Sequence, residues 1–173
     1  SDACLQKGGS LEPTPFQFIS GSGHQFFLET VTQLMANVSP ERVRAALFEP
    51  WTYPDEKLSM RWDPQEDRRY ALMDRDPTAS DNKSRTVWMA NLLAYRALAL
   101  FPSAPTRRGL SVAGWSEDGA AFTWPIWESA APLATIRSLL QLRELTREAV
   151  DSSTLRARGV SAAYRARRIR VPP

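Results

Sequence analysis

The chain has 173 residues, of which 43% are hydrophobic and 24% are charged. This is an ordinary globular composition, and it excludes a wholly disordered chain, a collagen-like fibre and a disulfide-stapled mini-protein. One cysteine and one histidine exclude an internal disulfide, a cysteine zinc site and any two-histidine metal motif. No apolar run approaches the roughly 18 residues of a membrane span, so we expect a cytoplasmic protein without a membrane segment.

The charge is distributed unevenly along the chain. Residues 1–86 carry 10 basic and 13 acidic side chains, whereas residues 87–173 carry 12 arginines and 6 acids. The two halves therefore have net charges of −3 and +6. Between Arg156 and Arg170 there are six arginines and no acid. Such asymmetry favours an anionic partner, nucleic acid first, although a solvated arginine-rich surface would show the same pattern.

The N-terminal stretch provides the first boundary. Residues 1–15 mix Gly, Ser and Pro with little apolar content, so we predict a linker or tag-like segment there. Residues 16–171 are then expected to form a single domain. Its first element is predicted to be a short strand over Phe16–Ile19, which a turn at Ser20–Gly23 closes.

Two helices are predicted to follow this strand. Apolar residues recur at helical spacing from near His24 to Asn37, which predicts the first helix. Ser39 as N-cap and Pro40 at the first helical position predict a second helix. This second helix should end before Pro50, because the residue before a proline disfavours the α region.

Residues 50–82 are interpreted as a long loop rich in proline and aromatic residues. Such a loop is rare unless it is functional or packed by its own side chains, and its aromatics favour the second reading. The clearest helix of the chain is predicted next, over Thr86–Phe101. Its apolar face is expected to contain Val87, Ala90, Leu93, Ala94, Ala97, Leu98 and Phe101.

A hairpin is predicted after this helix. Residues 109–115 and 121–127 are expected to form its strands, and Ser116–Gly119 its turn. Pro125 places the second strand at a sheet edge or a bulge, because proline cannot donate to the ladder.

The C-terminal part is predicted to contain a helix over Pro132–Leu142 and a strand over Gly159–Val171. Arg165, Arg167 and Arg168 are expected near the exposed side of that strand. Together the elements predict an α+β fold in which helices pack on a small antiparallel sheet, with a long aromatic- and Pro-rich loop.

Two catalytic hypotheses remain open. His24 at a helix start could be a catalytic base, or it could simply hydrogen-bond locally. Asp63, Glu66 and Asp67 could hold Mg²⁺ in a nuclease, but interleaved arginines favour a salt-bridged loop. Neither a G-x-S-x-G elbow nor a phosphate-binding loop motif is present. We therefore predict a protein that is not an enzyme and needs no cofactor or metal.

Nucleic-acid binding has the broadest support from the residues. The first candidates for phosphate contacts are Arg156, Arg158, Arg165, Arg167, Arg168 and Arg170. Arg107 and Arg108 come second. Tyr164 could stack on a base, or it could be a half-buried strand tyrosine. Trp124 and Trp127 flank Pro125 on an extended strand, which predicts that one of them lies at an interface.

Several segments have distinctive amino-acid sequences and follow one another in a distinctive order. They read FQFISGSGHQFFLETV, LFEPWTY, SMRWDPQEDRRYAL, TVWMANLLAYRALALFP, GLSVAGW, FTWPIWE and LRARGVSAAYRARRI. Across about residues 14–170 they resemble a CRISPR-associated family, the type I-G (formerly I-U) proteins that accompany the Cascade genes of that subtype. The W-D-P-x-E-D-R-R-Y-A pattern is the most specific part of this resemblance.

The resemblance implies that the chain is part of a subunit in a larger assembly. The chain would be the C-terminal portion of a large-subunit-like or helicase-nuclease-extension protein, or a small subunit made from such a portion. Subunits of this kind do no chemistry; they contact crRNA and target DNA, support the R-loop and bind other Cascade subunits and the helicase-nuclease. Small subunits are helical bundles, so the predicted α+β fold favours the large or extension subunit.

One non-catalytic alternative also remains. The chain could be a protein–protein adaptor that recruits the helicase-nuclease, with arginines that pair with acidic residues of the partner. Such an adaptor would bind nucleic acid only weakly and regardless of sequence or length.

Overall fold

The computed structural model describes residues 3–5, 11–16, 26–60, 62, 85–107, 109–149 and 151–168. The architecture is α+β, as the sequence predicts. Two compact units make up the chain, one formed by Ser1–Gly21 with Leu98–Pro173 and the other by Ser22–Ala97. The single domain that the sequence analysis places over residues 16–171 stays a prediction.

Two helices open the Ser22–Ala97 unit, α1 at Phe27–Ala36 and α2 at Pro40–Phe48. The predicted cap of α2 is confirmed, because Ser39 Oγ accepts a hydrogen bond from the backbone N–H of Arg42 at 3.2 Å. The predicted end of α2 before Pro50 is also confirmed. The predicted start of α1 near His24 lies outside the described residues.

The next elements are two short strands and a helix: β3 at Asp55–Glu56, β4 at Arg85–Thr86 and α3 at Trp88–Ala97. Strands β3 and β4 pair antiparallel. The helix predicted over Thr86–Phe101 therefore starts later than expected. Asp55 Oδ2 accepts a hydrogen bond from the backbone N–H of Trp88 at 2.8 Å, which satisfies one free donor of the first turn. Leu98–Leu100 continue as a 3₁₀ turn.

The core of this unit contains Leu34, Ala46, Val87, Met89 and Leu92. Part of the predicted apolar face of α3 is therefore wrong, since Met89 and Leu92 are buried while Ala94 is exposed. The reason is that the larger apolar side chains gain more by burial than alanine does. Of the predicted long loop, residues 61 and 63–82 lie outside the described residues; in the described part, Trp51 meets Tyr53 edge-on at 6.4 Å.

One buried polar side chain ties these elements together. Asn91 donates from Nδ2 to Thr86 Oγ1 at 2.7 Å and to the Val87 carbonyl at 3.0 Å. Its Oδ1 accepts a hydrogen bond from the backbone N–H of Met60 at 3.1 Å. A buried amide with these partners costs little, because its desolvation is compensated by hydrogen bonds.

The strands of the other unit form antiparallel pairs. Strands β1 and β2, at Ala3–Leu5 and Leu11–Pro13, pair within the segment for which the sequence predicts a linker. The remaining described strands are β5 at Ser103–Thr106, β6 at Gly109–Val112, β7 at Ala121–Ile126 and β8 at Ala162–Arg167. Strand β5 pairs with β6, and β7 pairs with β8.

The hairpin predicted between residues 109–115 and 121–127 is confirmed only next to its turn. The Gly119 N–H donates to the Ser116 carbonyl at 2.9 Å, and an antiparallel bridge joins Trp115 to Phe122. Two backbone hydrogen bonds flank this bridge, from the Ser116 N–H to the Ala121 carbonyl at 2.8 Å and from the Thr123 N–H to the Gly114 carbonyl at 2.7 Å. Gly114 explains why the ladder stops. Its φ is +78°, and a β-carbon there would lie 2.8 Å from Cε2 of Phe122. The chain therefore bends after β6, which pairs with β5, while β7 forms its full ladder with β8.

Helix α4 at Leu133–Leu140 confirms the core of the helix predicted over Pro132–Leu142. It is followed by a 3₁₀ turn at Arg143–Thr146 and by α5 at Ser152–Ala157, which the sequence analysis did not predict. These elements close over a core made of Leu139, Leu145, Leu155 and Val160. Leu145 is 0% exposed, so the 3₁₀ turn is anchored at its centre.

Candidate nucleic-acid interface

Strands β7 and β8 form a twisted ribbon, here called the β7–β8 ribbon, with two different faces. Residues of the inner face are buried, among them Thr123 and Pro125. Residues of the outer face are exposed: Trp124 at 36%, Ile126 at 38% and Tyr164 at 59%. The difference follows from the alternation of side chains along a strand, because only one face of the ribbon covers the core.

The outer face contains a row of aromatic rings. Trp124 lies directly across the ladder from Tyr164, with ring centroids 6.0 Å apart and planes inclined by 30°. Phe122, two residues before Trp124 on the same strand, stacks on its ring with centroids 5.9 Å apart and planes inclined by 25°. The half-buried alternative for Tyr164 is therefore wrong. Of the two flanking tryptophans, Trp124 is exposed, while Trp127 packs against the core.

Two of the predicted phosphate-contacting arginines hold the fold instead of facing solvent freely. Arg165 Nη1 donates to the carbonyl oxygens of Arg147 at 2.6 Å and Glu148 at 2.7 Å. The Arg168 guanidinium lies over the Trp115 ring, 5.5 Å from its centroid, and donates to the Pro15 carbonyl at 2.7 Å. Both side chains are half-buried.

Two more of these arginines have acidic partners. Arg158 pairs with Glu144 at 3.1 Å, and the Glu144 side chain is only 16% exposed. Arg167 pairs loosely with Glu148 at 3.8 Å, with both side chains largely exposed. The second pair is the weaker constraint, because an exposed ion pair contributes little to stability.

Arg156 differs from these four residues. It lies in the last turn of α5, it is exposed, and its side chain has no partner within the described residues. The helix is held by Asp151, whose side chain accepts hydrogen bonds from Thr154 Oγ1 at 2.5 Å and from Ser153. These bonds lower the pKa of Asp151 to about 2. Arg170 and Arg108 lie outside the described residues.

A cavity of about 910 Å³ lies beside β5, β6 and the 3₁₀ turn. Three arginines line it: Arg107 from the turn after β5, and Arg143 and Arg147 from the 3₁₀ turn and the residue after it. Glu117 is the one acidic side chain among the described residues that line this cavity. We call it the arginine cavity. Within the described part of the chain, none of its three guanidinium groups has a hydrogen bond or an ion pair.

A smaller cleft of about 360 Å³ shares Arg147 with the arginine cavity but has a different charge. Its other arginines are Arg165 and Arg167, and its acids are Glu117, Asp118 and Glu148. Hydrogen bonds from Ser116 and from the Ala120 backbone lower the pKa of Asp118, which keeps this carboxylate ionised. The smaller cleft is therefore neutral, whereas the arginine cavity has a net positive charge.

The residues of the catalytic hypotheses, His24, Asp63, Glu66 and Asp67, all lie outside the described residues, so those hypotheses stay untested. Elsewhere in the described ranges, no three His, Cys, Asp or Glu side chains form a group suited to a metal ion. The described helices are all too short or too polar to cross a membrane.

Arg143 and Arg147 were not among the residues predicted from the sequence. Both lie in a segment where Glu144 and Glu148 alternate with them, so the local net charge is zero and gives no signal. Comparison with known proteins adds no further residue: no family model matches the chain, and neither does any curated protein or solved structure.

Proposed function

We propose that the chain is a non-catalytic subunit of a type I-G CRISPR RNA-guided surveillance complex. There it contacts crRNA, target DNA or the displaced strand, and it holds neighbouring subunits in place. The resemblance over about residues 14–170 supports the family assignment. The exposed row of Trp124 and Tyr164 on the β7–β8 ribbon is the observation that carries the nucleic-acid role.

The chemistry of this row suits a single strand. Unpaired bases stack on aromatic side chains whatever their sequence, and each such contact contributes about 1–3 kcal/mol. A complex that opens a target duplex produces such a strand, and base pairing with the guide supplies the specificity. The protein is then required to hold backbones and bases without reading them.

The C-terminal arginines have two different roles in this proposal, phosphate contact and support of the fold. Arg156 and Arg167 are exposed, so they are the strongest candidates for phosphate contacts in the described part of the C-terminal cluster. Arg165 and Arg168 instead hold the ribbon through backbone carbonyls and an aromatic ring. We therefore assign to them a role in shaping the surface rather than in binding.

The adaptor alternative has one observation in its favour. Ile126 is exposed on the same face as Trp124, and an aliphatic side chain contributes to protein contacts more readily than to base stacking. In that case the outer face would bind the helicase-nuclease, and the purified chain would bind nucleic acid weakly.

The test measures the affinity of the purified chain for single-stranded DNA, single-stranded RNA and duplex DNA over a salt series. The key variant is Trp124→Ala/Tyr164→Ala. Its matched control is Phe48→Ala/Trp51→Ala, which removes two exposed aromatics from another surface, 75% and 43% exposed. We expect at least about tenfold weaker binding of single strands by the key variant, since two stacking contacts are lost, and near wild-type binding by the control.

Three results would count against the proposal. If the key variant and its control bind single strands equally well, Trp124 and Tyr164 do not stack on bases, and the adaptor alternative is favoured. Capture of purified helicase-nuclease by the chain would then test that alternative. An absence of single-strand binding would favour the adaptor in the same way. Cleavage of nucleic acid that stops with chelator and with Asp67→Asn would overturn the non-catalytic assignment.

A further inference from the structure

We propose that the arginine cavity is a second binding site, which takes the phosphate groups of a nucleotide or of a nucleic-acid strand. The inference does not need the proposed function, because neither Trp124 nor Tyr164 lines the arginine cavity. The two ideas also fail separately in the experiment below.

The first reason is the unbalanced charge. Three arginines line one cavity, with a single acidic residue among its described lining residues. Like charges gathered in a concave site raise the local potential and repel each other, which costs free energy until an anion enters. Phosphate is the anion that arginine recognises best, because its planar fork donates two parallel hydrogen bonds.

The second reason is that the side chains of these three arginines make no hydrogen bond or ion pair, within the described residues, that a ligand would have to displace. Arg158, Arg165 and Arg168 each have a carboxylate, a carbonyl or a ring as partner. By contrast, no partner exists within the described residues for the side chains of Arg107, Arg143 and Arg147. Their donors therefore need not give up an internal contact when a ligand binds.

The third reason is that the backbone of the site is held in place. Leu145, which is 0% exposed, anchors the 3₁₀ turn between Arg143 and Arg147. The Arg165 guanidinium clamps the Arg147 carbonyl at 2.6 Å. Thr106 Oγ1 donates to the Gly109 carbonyl at 2.8 Å and closes the turn that carries Arg107. A prearranged site loses less entropy on binding.

The size of the cavity limits the ligand. A volume of about 910 Å³ is large enough for a nucleotide or a short stretch of strand, since small-molecule sites commonly have about 300–1,000 Å³. Gln141 and Ser111 also line it and add polar groups that could orient a sugar or a base.

The experiment uses the whole chain and two probes: fluorescein-labelled dT20, and unlabelled dTTP measured by calorimetry. The test variant is Arg143→Gln/Arg147→Gln. Its control, Arg96→Gln/Arg137→Gln, removes the same charge from two exposed arginines that also lack partners within the described residues. A second pair, Ser111→Glu and Ser138→Glu, places a carboxylate inside the cavity or on an exposed helix face outside it.

We expect the test variant to bind at least one probe about tenfold more weakly than its control does, because charge-assisted contacts are lost. For dT20 the slope of log affinity against log salt should flatten by about 1.4, since each phosphate contact with a single strand contributes about 0.7. Ser111→Glu should weaken binding more than Ser138→Glu. Loss of dTTP binding assigns the site to nucleotides, and loss confined to dT20 assigns it to a strand.

Equal affinities of the test variant and its control for both probes would overturn the inference, provided that thermal unfolding shows all four variants folded. If folding of the double variant fails, the serine pair decides in the same way. If Trp124→Ala/Tyr164→Ala binds dT20 weakly and the cavity variants also weaken binding as expected, both proposals are supported. If the cavity variants weaken binding but Trp124→Ala/Tyr164→Ala does not, the arginine cavity is supported as a binding site and the proposed role of the β7–β8 ribbon is contradicted.

Discussion

The arginines of β8 and those of the arginine cavity contrast in what their guanidinium groups contact. In β8, Arg165 bonds to two backbone carbonyls and Arg167 pairs with Glu148. In the cavity, Arg143 and Arg147 have no side-chain partner among the described residues. The density of arginine along the chain therefore does not locate the arginines available to a ligand. Availability depends on the carboxylates and carbonyls that folding brings near each guanidinium.

The largest expected effect on stability concerns the partnered arginine. Arg165→Ala should lower the free energy of unfolding by about 1–2 kcal/mol, because it removes two charge-assisted hydrogen bonds from a half-buried site. The buried Nε of Arg165 has no partner among the described residues, which keeps the expected loss in the lower part of the usual range. Chemical denaturation measures this quantity.

A matched variant isolates the contribution of those bonds. Arg107→Ala removes an exposed arginine without a described partner from the same unit and should leave the denaturation midpoint close to wild type. If Arg165→Ala is as stable as Arg107→Ala, the two bonds do not stabilise the fold, and the contrast between the two groups of arginines loses its energetic meaning.

A smaller effect is expected from acid, through helix α5. This helix contains Arg156, which is unpaired among the described residues, the paired Arg158 follows it as the C-cap residue, and Asp151 is its N-cap. Hydrogen bonds from Thr154 and Ser153 lower the pKa of Asp151 from the usual 3.8 to about 2. The folded state therefore keeps this carboxylate ionised at a pH where the unfolded chain protonates it.

The sign follows from that depression. The stabilisation is fully present above the unfolded pKa and is lost as the pH falls from about 4 to about 2. Asp151→Asn should thus show a smaller fall of Tm over that range than wild type, measured by circular dichroism. Glu128→Gln, which removes an exposed carboxylate elsewhere, should keep the wild-type fall. If the Tm of Asp151→Asn falls as much as that of wild type, ionisation of Asp151 does not contribute to the stability of the fold.

The smallest effect on stability is expected in the cavity. Arg143→Gln/Arg147→Gln should change the free energy of unfolding by less than about 0.5 kcal/mol, because no internal contact is lost. Relief of repulsion between like charges would make the change slightly stabilising. Denaturation at low and high salt measures it, and a loss greater than that of Arg165→Ala would show that these side chains serve the fold instead.

Local signals in the sequence predicted several elements well. The Ser39 cap and the proline after it place the start of α2 to the residue, because capping depends on neighbours three positions away. Alternation of apolar and polar residues predicted β8. The α+β class followed from the presence of both helical and strand periodicities in the sequence. The predicted site was less complete, since the interleaved acids around Arg143 and Arg147 hide a positive cavity from any count along the chain.

Strand pairing is where local signals failed. The Ser116–Gly119 turn forms as predicted and a bridge joins Trp115 to Phe122, yet the full ladder of β7 is with β8, about forty positions further along the chain. Gly114 holds a positive φ and admits the Phe122 ring, so the first strand bends away. Such a choice depends on contacts between distant residues, and a period of two along each strand is the same for either partner.

By itself, the sequence determined the class of the fold, the capped start of α2 and the excess of arginine in the second half. These properties depend on neighbours within one or two turns or on composition alone. Only the tertiary structure decided which arginines are held by Glu144, Glu148 and backbone carbonyls and which are left to line a cavity. The physical reason is that a guanidinium is neutralised by whatever lies within about 4 Å of it in space, and distance along the chain does not report that.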